Sequence, residues 1–380
     1  MISNWIWILL VLYLVVSLCA ILFDLWVMMS DKHQKKVGEQ REKLLRALLE
    51  LQIARIREGR PLNPSTQHQI YCQLRKVDTV LRFINLGEEY AGQEDFAAYL
   101  SQSGDLFKRL CRHYKRSQPM HRASFAWALA SCRQQIPQTQ SFLLSCVSEK
   151  RSIYCRENAL TALYRSGNCD AVISALKRMS ASEVQHSQKL FTDGFLSFEG
   201  DKTQLCAAMW KEFPRFSINI RLAIVDYMRL LNADYREELL PLLDSPDTDD
   251  EICFAILRYY GRCTFEPACH RMIEFMTAPR NGLWEYAAVS ATNLRNYPGD
   301  EVVETLLHAL SNHGWYVRYN AAESLVYMAL PEEVYSQILS GKDRYAREIT
   351  QYMMERKQLG QAARTSAVPA AKGGEALGVS

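Results

Sequence analysis

The sequence predicts an all-α protein: a right-handed α-solenoid of about seven helical hairpins behind one N-terminal transmembrane helix. Three observations lead there. A nine-residue apolar frame recurs from residue 121 onward at nearly constant spacing. Gly 17 and Pro 12 are few for a chain of short strands and tight turns. Residues 5–23, WIWILLVLYLVVSLCAILF, carry no charge.

The frame holds small or apolar residues at positions 1, 5, 8 and 9. CRENALTAL starts at Cys155, IRLAIVDYM at Ile220, ICFAILRYY at Ile252, WEYAAVSAT at Trp284 and VRYNAAESL at Val317. Weaker copies start at His121 and Gln188, and a terminal copy, AREITQYMM, at Ala346. The first seven starts are separated by 34, 33, 32, 32, 32 and 33 residues. Each unit also carries a second apolar helix, as in DAVISALKRM at 170–179, TQLCAAMWKEF at 203–213, EELLPLL at 237–243 and VVETLLHAL at 302–310. One such hairpin cannot bury its apolar face alone, and stacking on its neighbours does that. Ala159, Ala288 and Ala321 stand where neighbouring helices are expected to meet closely.

The pattern V-R-x-x-A-A-x-A-L, carried by Val317, Arg318, Ala321, Ala322 and Leu325 and again by Arg156, Ala159, Ala162 and Leu163, resembles the short HEAT repeat. The acidic turn LLDSPDTDDEI at 242–252 is similar to the one that leads into a HEAT helix, and its Asp residues suit an N-cap and first turn. The resemblance covers roughly 115–358. It implies a curved scaffold of stacked hairpins that binds proteins.

Ahead of the repeats, residues 1–30 read as a membrane anchor. The uncharged run spans about 28 Å as a helix, close to one hydrocarbon core. A cleaved signal peptide wants a basic start and a small-x-small site, and MISN supplies no cation. Lys32, Lys35, Lys36, Arg41, Lys43 and Arg46 follow the run, so the positive-inside rule places the N-terminus outside and the remainder in the cytoplasm. The eleven cysteines agree: the count is odd, no C-x-x-C pair occurs, and most sit in apolar runs as reduced thiols do. Residues 31–60 read as an amphipathic helix with its stripe on Leu44, Leu48 and Leu51, widened by Leu45, Leu49, Ile53 and Ile56. Packing on the next domain is the simpler use of that stripe, and a short coiled coil the alternative. GRPLNPST breaks the chain, with Ser65 or Thr66 as the next N-cap. Residues 61–118 form an N-terminal helical cap region, 119–358 the repeats, and 359–380 a small, polar tail read as disordered.

Composition narrows the function. Apolar residues at 48% and charged residues at 23% exclude a disordered or collagen-like chain. A net charge of +3, from 45 basic and 42 acidic residues, excludes a surface that is one polyanion trap. No G-x-S-x-G, Walker loop, H-E-x-x-H or dinucleotide fingerprint occurs, so no enzyme, cofactor or metal is expected. Cys263, Cys269 and His270, with Cys253 nearby, have irregular spacing for a metal site and read as packing.

Two clusters invite a partner. Lys108, Arg109, Arg112, Lys115 and Arg116 share one helix face, Arg122 follows, and no acid interrupts 108–122. A solvated face is the plain reading; contact with anionic lipid or an acidic partner is the sharper one. Trp284, Tyr286, Trp315, Tyr316 and Tyr319 recur one repeat apart and would form an aromatic patch if exposed. The expectation is a single-pass scaffold or adaptor, not a nucleic-acid binder, presenting its repeats to a membrane-associated protein at the inner leaflet. Resemblance to membrane-tethered bacterial HEAT proteins implies a partner such as a polysaccharide-synthesising glycosyltransferase. HEAT-like DNA glycosylases and HEAT-type bilin lyases are the rival readings; the near-neutral charge and the anchor oppose the first, and nothing marks a tetrapyrrole pocket for the second.

Overall fold

The computed structural model describes residues 2–366 apart from 151, 183 and 185. Among the described residues the chain is all-α: twenty α-helices, three short 3-10 turns and no strand. The helices form two compact units that divide between Ser217 and Ile218.

The first unit opens with α1 (Ile2–Arg57), a single unbroken helix. Nothing in the sequence stops it between 30 and 31; it has no Pro, and its one Gly, Gly38, lies where the Arg82 guanidinium crosses so closely that a Cβ would meet Nη2 at 2.7 Å. α1 is long and apolar enough to cross a membrane: an 18-residue stretch has a mean hydropathy of 2.4 and none of it is buried. Further on, α1 packs against α2 (Pro64–Leu74), α3 (Val77–Tyr90) and α4 (Glu94–Gln102). Its buried stripe is Leu45, Leu48, Leu49 and Ile53, whereas Leu44 and Leu51 are exposed. The stripe is therefore rotated from the expected one. The contacts follow the side on which Gln52 is buried, its amide exchanging two hydrogen bonds of 2.8 and 2.9 Å with the Asn63 backbone.

Asn63, and not Ser65 or Thr66, caps α2. Its Oδ1 accepts from Ser65 N at 2.9 Å and Thr66 N at 3.3 Å, and Pro64 takes the first helical position, where a missing N–H costs nothing.

Cross-links fix the helix directions. Gln52 holds the N-cap of α2, so α2 runs back along α1. α3 runs parallel to α1: Arg41 pairs with Asp78 at its start (3.3 Å), and Glu50 accepts from the Tyr90 hydroxyl at its end (3.2 Å). α5 (Gly104–Lys115) runs parallel to α2. Gln67 donates to Ser103 at 3.0 Å, Arg109 lies over the Tyr71 ring at 4.0 Å, and the Tyr114 hydroxyl donates to the Leu74 carbonyl at 2.7 Å.

Three successive helix pairs follow: α6 (Pro119–Ser131) and α7 (Gln140–Val147), α8 (Ile153–Arg165) and α9 (Cys169–Ser180), and α10 (Gln188–Leu196) and α11 (Lys202–Lys211). α6 packs on α3, α8 on α6 and α10 on α8, while α7, α9 and α11 make a second row. Ser152, Asn168 and Asp201 cap α8, α9 and α11 through their side-chain oxygens.

The second unit repeats this plan. α12 (Ile218–Leu231), α14 (Asp250–Tyr260), α16 (Trp284–Leu294), α18 (Trp315–Tyr327) and α20 (Arg344–Ser366) pack each on the next. α13 (Arg236–Asp244), α15 (Glu266–Thr277), α17 (Asp300–Ala309) and α19 (Glu332–Ser340) return between them. Asp249 caps α14, its carboxylate accepting from Glu251 N at 2.9 Å.

Each frame copy starts in the first turn of an even-numbered helix from α6 to α20. Positions 5 and 8 are buried in all seven copies from His121 to Val317, Ala159 and Ala321 at 0% exposure. Side chains on these helices also bond to the backbone of the preceding even helix. The amides of Asn158 and Asn320 donate to the carbonyls of Ala123 (3.0 Å) and Ala288 (2.8 Å), and the Ser324 hydroxyl donates to Ala291 (2.7 Å).

The tail departs from expectation. α20 continues to Ser366, because QAARTS is rich in residues that a helix accepts readily. Residues 367–380 of the tail lie outside the described residues.

Candidate functional site

On α5 the apolar residues Leu106, Phe107, Leu110, Cys111 and Tyr114 are buried, which turns the opposite face outward. Lys108, Arg109, Arg112, Lys115 and Arg116 are all exposed, and among the described residues none of the five pairs with a carboxylate. Arg109 stacks on Tyr71, and Arg75, from the end of α2, approaches the same ring at 5.7 Å. Tyr71, Arg109, Arg112, His113, Arg116 and Ser117 line one open groove. Burial, and then the charge of Arg75, hold the His113 imidazole below its usual range. A groove of guanidinium groups around an aromatic ring is suited to anions, which guanidinium binds through paired N–H donors. The Tyr71 and Arg75 contributions come from parallel packing of α2 on α5, which the sequence spacing does not reveal.

Arg122 does not belong to this face. Its guanidinium pairs with Glu149, and both side chains are mostly buried, at 15% and 12% exposure. One turn into α6, it points toward α7 and its Cys146 rather than outward.

The aromatic group also divides. Trp284, Trp315 and Tyr316 are 45%, 53% and 57% exposed. Trp284 and Tyr316 stack, Trp315 meets Tyr316 edge-on at 5.1 Å, and Tyr319 lies 4.9 Å from Trp315. Tyr286 is fully buried between Phe254 and Phe275, and its hydroxyl donates to Asp250 at 2.6 Å. Two residues along a helix face nearly opposite ways, so Trp284 and Tyr286 cannot share one surface. Burial first, and then the hydrogen bond to Asp250, push the Tyr286 phenol well above its usual range.

The surface extends beyond the expected residues onto α20. Trp315, Arg318, Tyr319, Tyr345, Ile349 and Tyr352 line a shallow pocket, with Arg318 over the Tyr345 ring at 5.0 Å. The Tyr319 hydroxyl accepts from Arg356 at 2.5 Å. Tyr345 and Tyr352 are seven residues apart, two helical turns, and that spacing was the available signal.

Cys263, between α14 and α15, is half-buried. Cys253 and Cys269 are buried, and burial pushes the Cys269 thiol up to about 11. His270 lies beside Glu266, and among the described residues no three His, Cys, Asp or Glu side chains converge as metal ligands would.

No family model matches the chain, and no curated protein matches it in sequence.

Proposed function

We propose that this chain is a non-enzymatic, membrane-anchored scaffold whose HEAT-type α-solenoid presents an aromatic surface to a protein partner in the cytoplasm. The observation that carries the reading is the aromatic surface on α16, α18 and α20. Trp and Tyr rings at large exposure, stacked on one another and flanked by Arg318, have the composition of a binding hot spot. The unburied apolar stretch of α1 supports the anchor, and the cations after it support a cytoplasmic location for the repeats. Tethering would raise the local concentration of a membrane-bound partner. A polysaccharide-synthesising glycosyltransferase is the partner expected from the resemblance to membrane-tethered HEAT proteins.

The test is affinity purification of the full chain from detergent-solubilised membranes, beside Trp284→Ala/Trp315→Ala/Tyr316→Ala and a form lacking residues 1–30. The reading expects a membrane enzyme that co-purifies with the parent and is lost with the triple variant. The same protein recovered equally with both would remove the aromatic surface from the account.

A further inference from the structure

We propose that the basic end of the first unit rests on the anionic leaflet from which α1 emerges, so that the chain meets the same membrane twice. This takes as given that α1 crosses a membrane, and it names what the basic face meets there.

The helix directions decide which end this is. α3 runs with α1, α2 runs against it, and α5 runs with α2. The last turns of α2 and α5 therefore lie near the start of α3, at the level of Arg41, and point back toward the apolar stretch of α1. α6 starts at this same end, because its far end reaches Gly87 through Ser131. α8 is parallel to α6: Asn158 bonds to Ala123 near one end, and Arg165 pairs with Glu88 at the other (2.8 Å). The first turns of α6 and α8 thus belong to the anchor-facing end too.

That end has a particular composition. Arg75, Lys76, Arg112, Lys115 and Arg116 are exposed there, and among the described residues they have no carboxylate partner. Of the acids nearby, Asp78 pairs with Arg41, Glu149 with Arg122 and Glu157 with His186, while Asp31 and Glu39 belong to a stretch of α1 that also carries Lys32, Lys35, Lys36 and Lys43. Beside the cations stand Met120, Ile153 and Tyr154, at 56%, 51% and 63% exposure. Free cations with exposed apolar and Tyr side chains make up a surface that lies on headgroups. An acidic protein would account for the cations and leave the three apolar side chains unexplained.

The geometry permits the contact. From Met29 to Arg41, α1 climbs about 18 Å. α8 is reached from α1 through α3 and α6, three packing steps of roughly 9 Å each. A tilt of about 35°, within the range of transmembrane helices, lowers the α8 edge by about 15 Å. The headgroup layer, roughly 5–7 Å deep on each side, closes the remainder. The apolar run of α1 continues past Asp24 to Met29, longer than an upright crossing needs, which leaves room for that tilt.

The experiment is hydrogen exchange on the full chain in nanodiscs of phosphatidylcholine alone or with phosphatidylglycerol. Amides at 118–122 and 152–155 should exchange at least about fivefold more slowly in the anionic discs, since each nearby cation is worth roughly that factor. Amides at 132–135, at the far end, should not change. Arg112→Glu/Lys115→Glu/Arg116→Glu should abolish the slowing while resistance of the chain to alkaline extraction persists. Equal exchange in both discs, with the chain still resistant to extraction, overturns the second contact and leaves the anchor standing. Equal slowing in both discs overturns the role of charge. A chain that washes off in alkali overturns the anchor reading itself.

Discussion

Trp284 and Tyr316, one repeat apart in sequence, lie ring on ring with centroids 5.3 Å apart and planes 14° from parallel. Both remain open to solvent. Their stack bridges the first turns of α16 and α18 and holds the centre of the aromatic surface.

Truncating them separates binding from folding. An aromatic pair is worth about 0.5–1.5 kcal/mol beyond its buried area. Tyr316→Ala should therefore lower thermal stability only slightly, whereas it should cut partner co-purification severely. Equal losses in both measurements would mark the rings as structural.

Thiol labelling reads the topology. Cys72 on α2 is exposed, whereas burial pushes the Cys111 and Cys132 thiols up to about 12 and keeps them protonated. A membrane-impermeant maleimide should label Cys72 in inverted vesicles and not in sealed cells. Labelling from outside sealed cells would reverse the orientation.

Ala321 has no exposed surface, and its neighbour Asn320 bonds to Ala288 on the helix against which it packs. Ala321→Leu adds three carbons to that joint and should cost about 1–3 kcal/mol. Exchange protection should fall in α16 and α18 first, because α18 packs directly on α16. An even loss across both units would contradict that organisation.

Arg122 and Arg109 should behave differently although both belong to one basic segment. Arg122→Ala removes a mostly buried guanidinium from beside Glu149, and after allowing for partial exposure the cost should be about 2 kcal/mol. Arg109→Ala removes a cation from the Tyr71 ring at the surface and should cost about 0.5–1 kcal/mol. Exchange protection in α6 to α8 distinguishes them, falling for Arg122→Ala and holding for Arg109→Ala.

The all-helical class and the phase of the repeat were legible because burial along a helix follows the 3.6-residue period. Thr192 shows the strength of that signal: polar, in a weak copy, yet buried at position 5. What could not be read depends on partners from elsewhere in the chain. Leu51 is as apolar as Leu49, and only the placement of α2 and α3 leaves the first exposed and the second buried. Asn63 outcompetes Ser65 because Gln52 fixes its backbone from across the hairpin. Tyr71 joins the basic face only through the parallel packing of α5. Tyr345 stands one residue before the terminal copy and Tyr352 inside it, where the frame is weakest, so the reach of the aromatic surface onto α20 was not apparent. By contrast, the separation of Trp284 from Tyr286 was available from helical geometry alone.

The joints between α14, α16 and α18 are not alike. Asn320 and Ser324 of α18 donate to the carbonyls of Ala288 and Ala291, small residues at positions 5 and 8 of the preceding copy. The same positions of α14 hold Ile256 and Tyr259, both fully buried. Seated on α14 instead of α16, α18 would meet bulk where it requires backbone. α18 is therefore fitted to α16 in particular, and a recombination that set it on α14 would need compensating substitutions at the new junction.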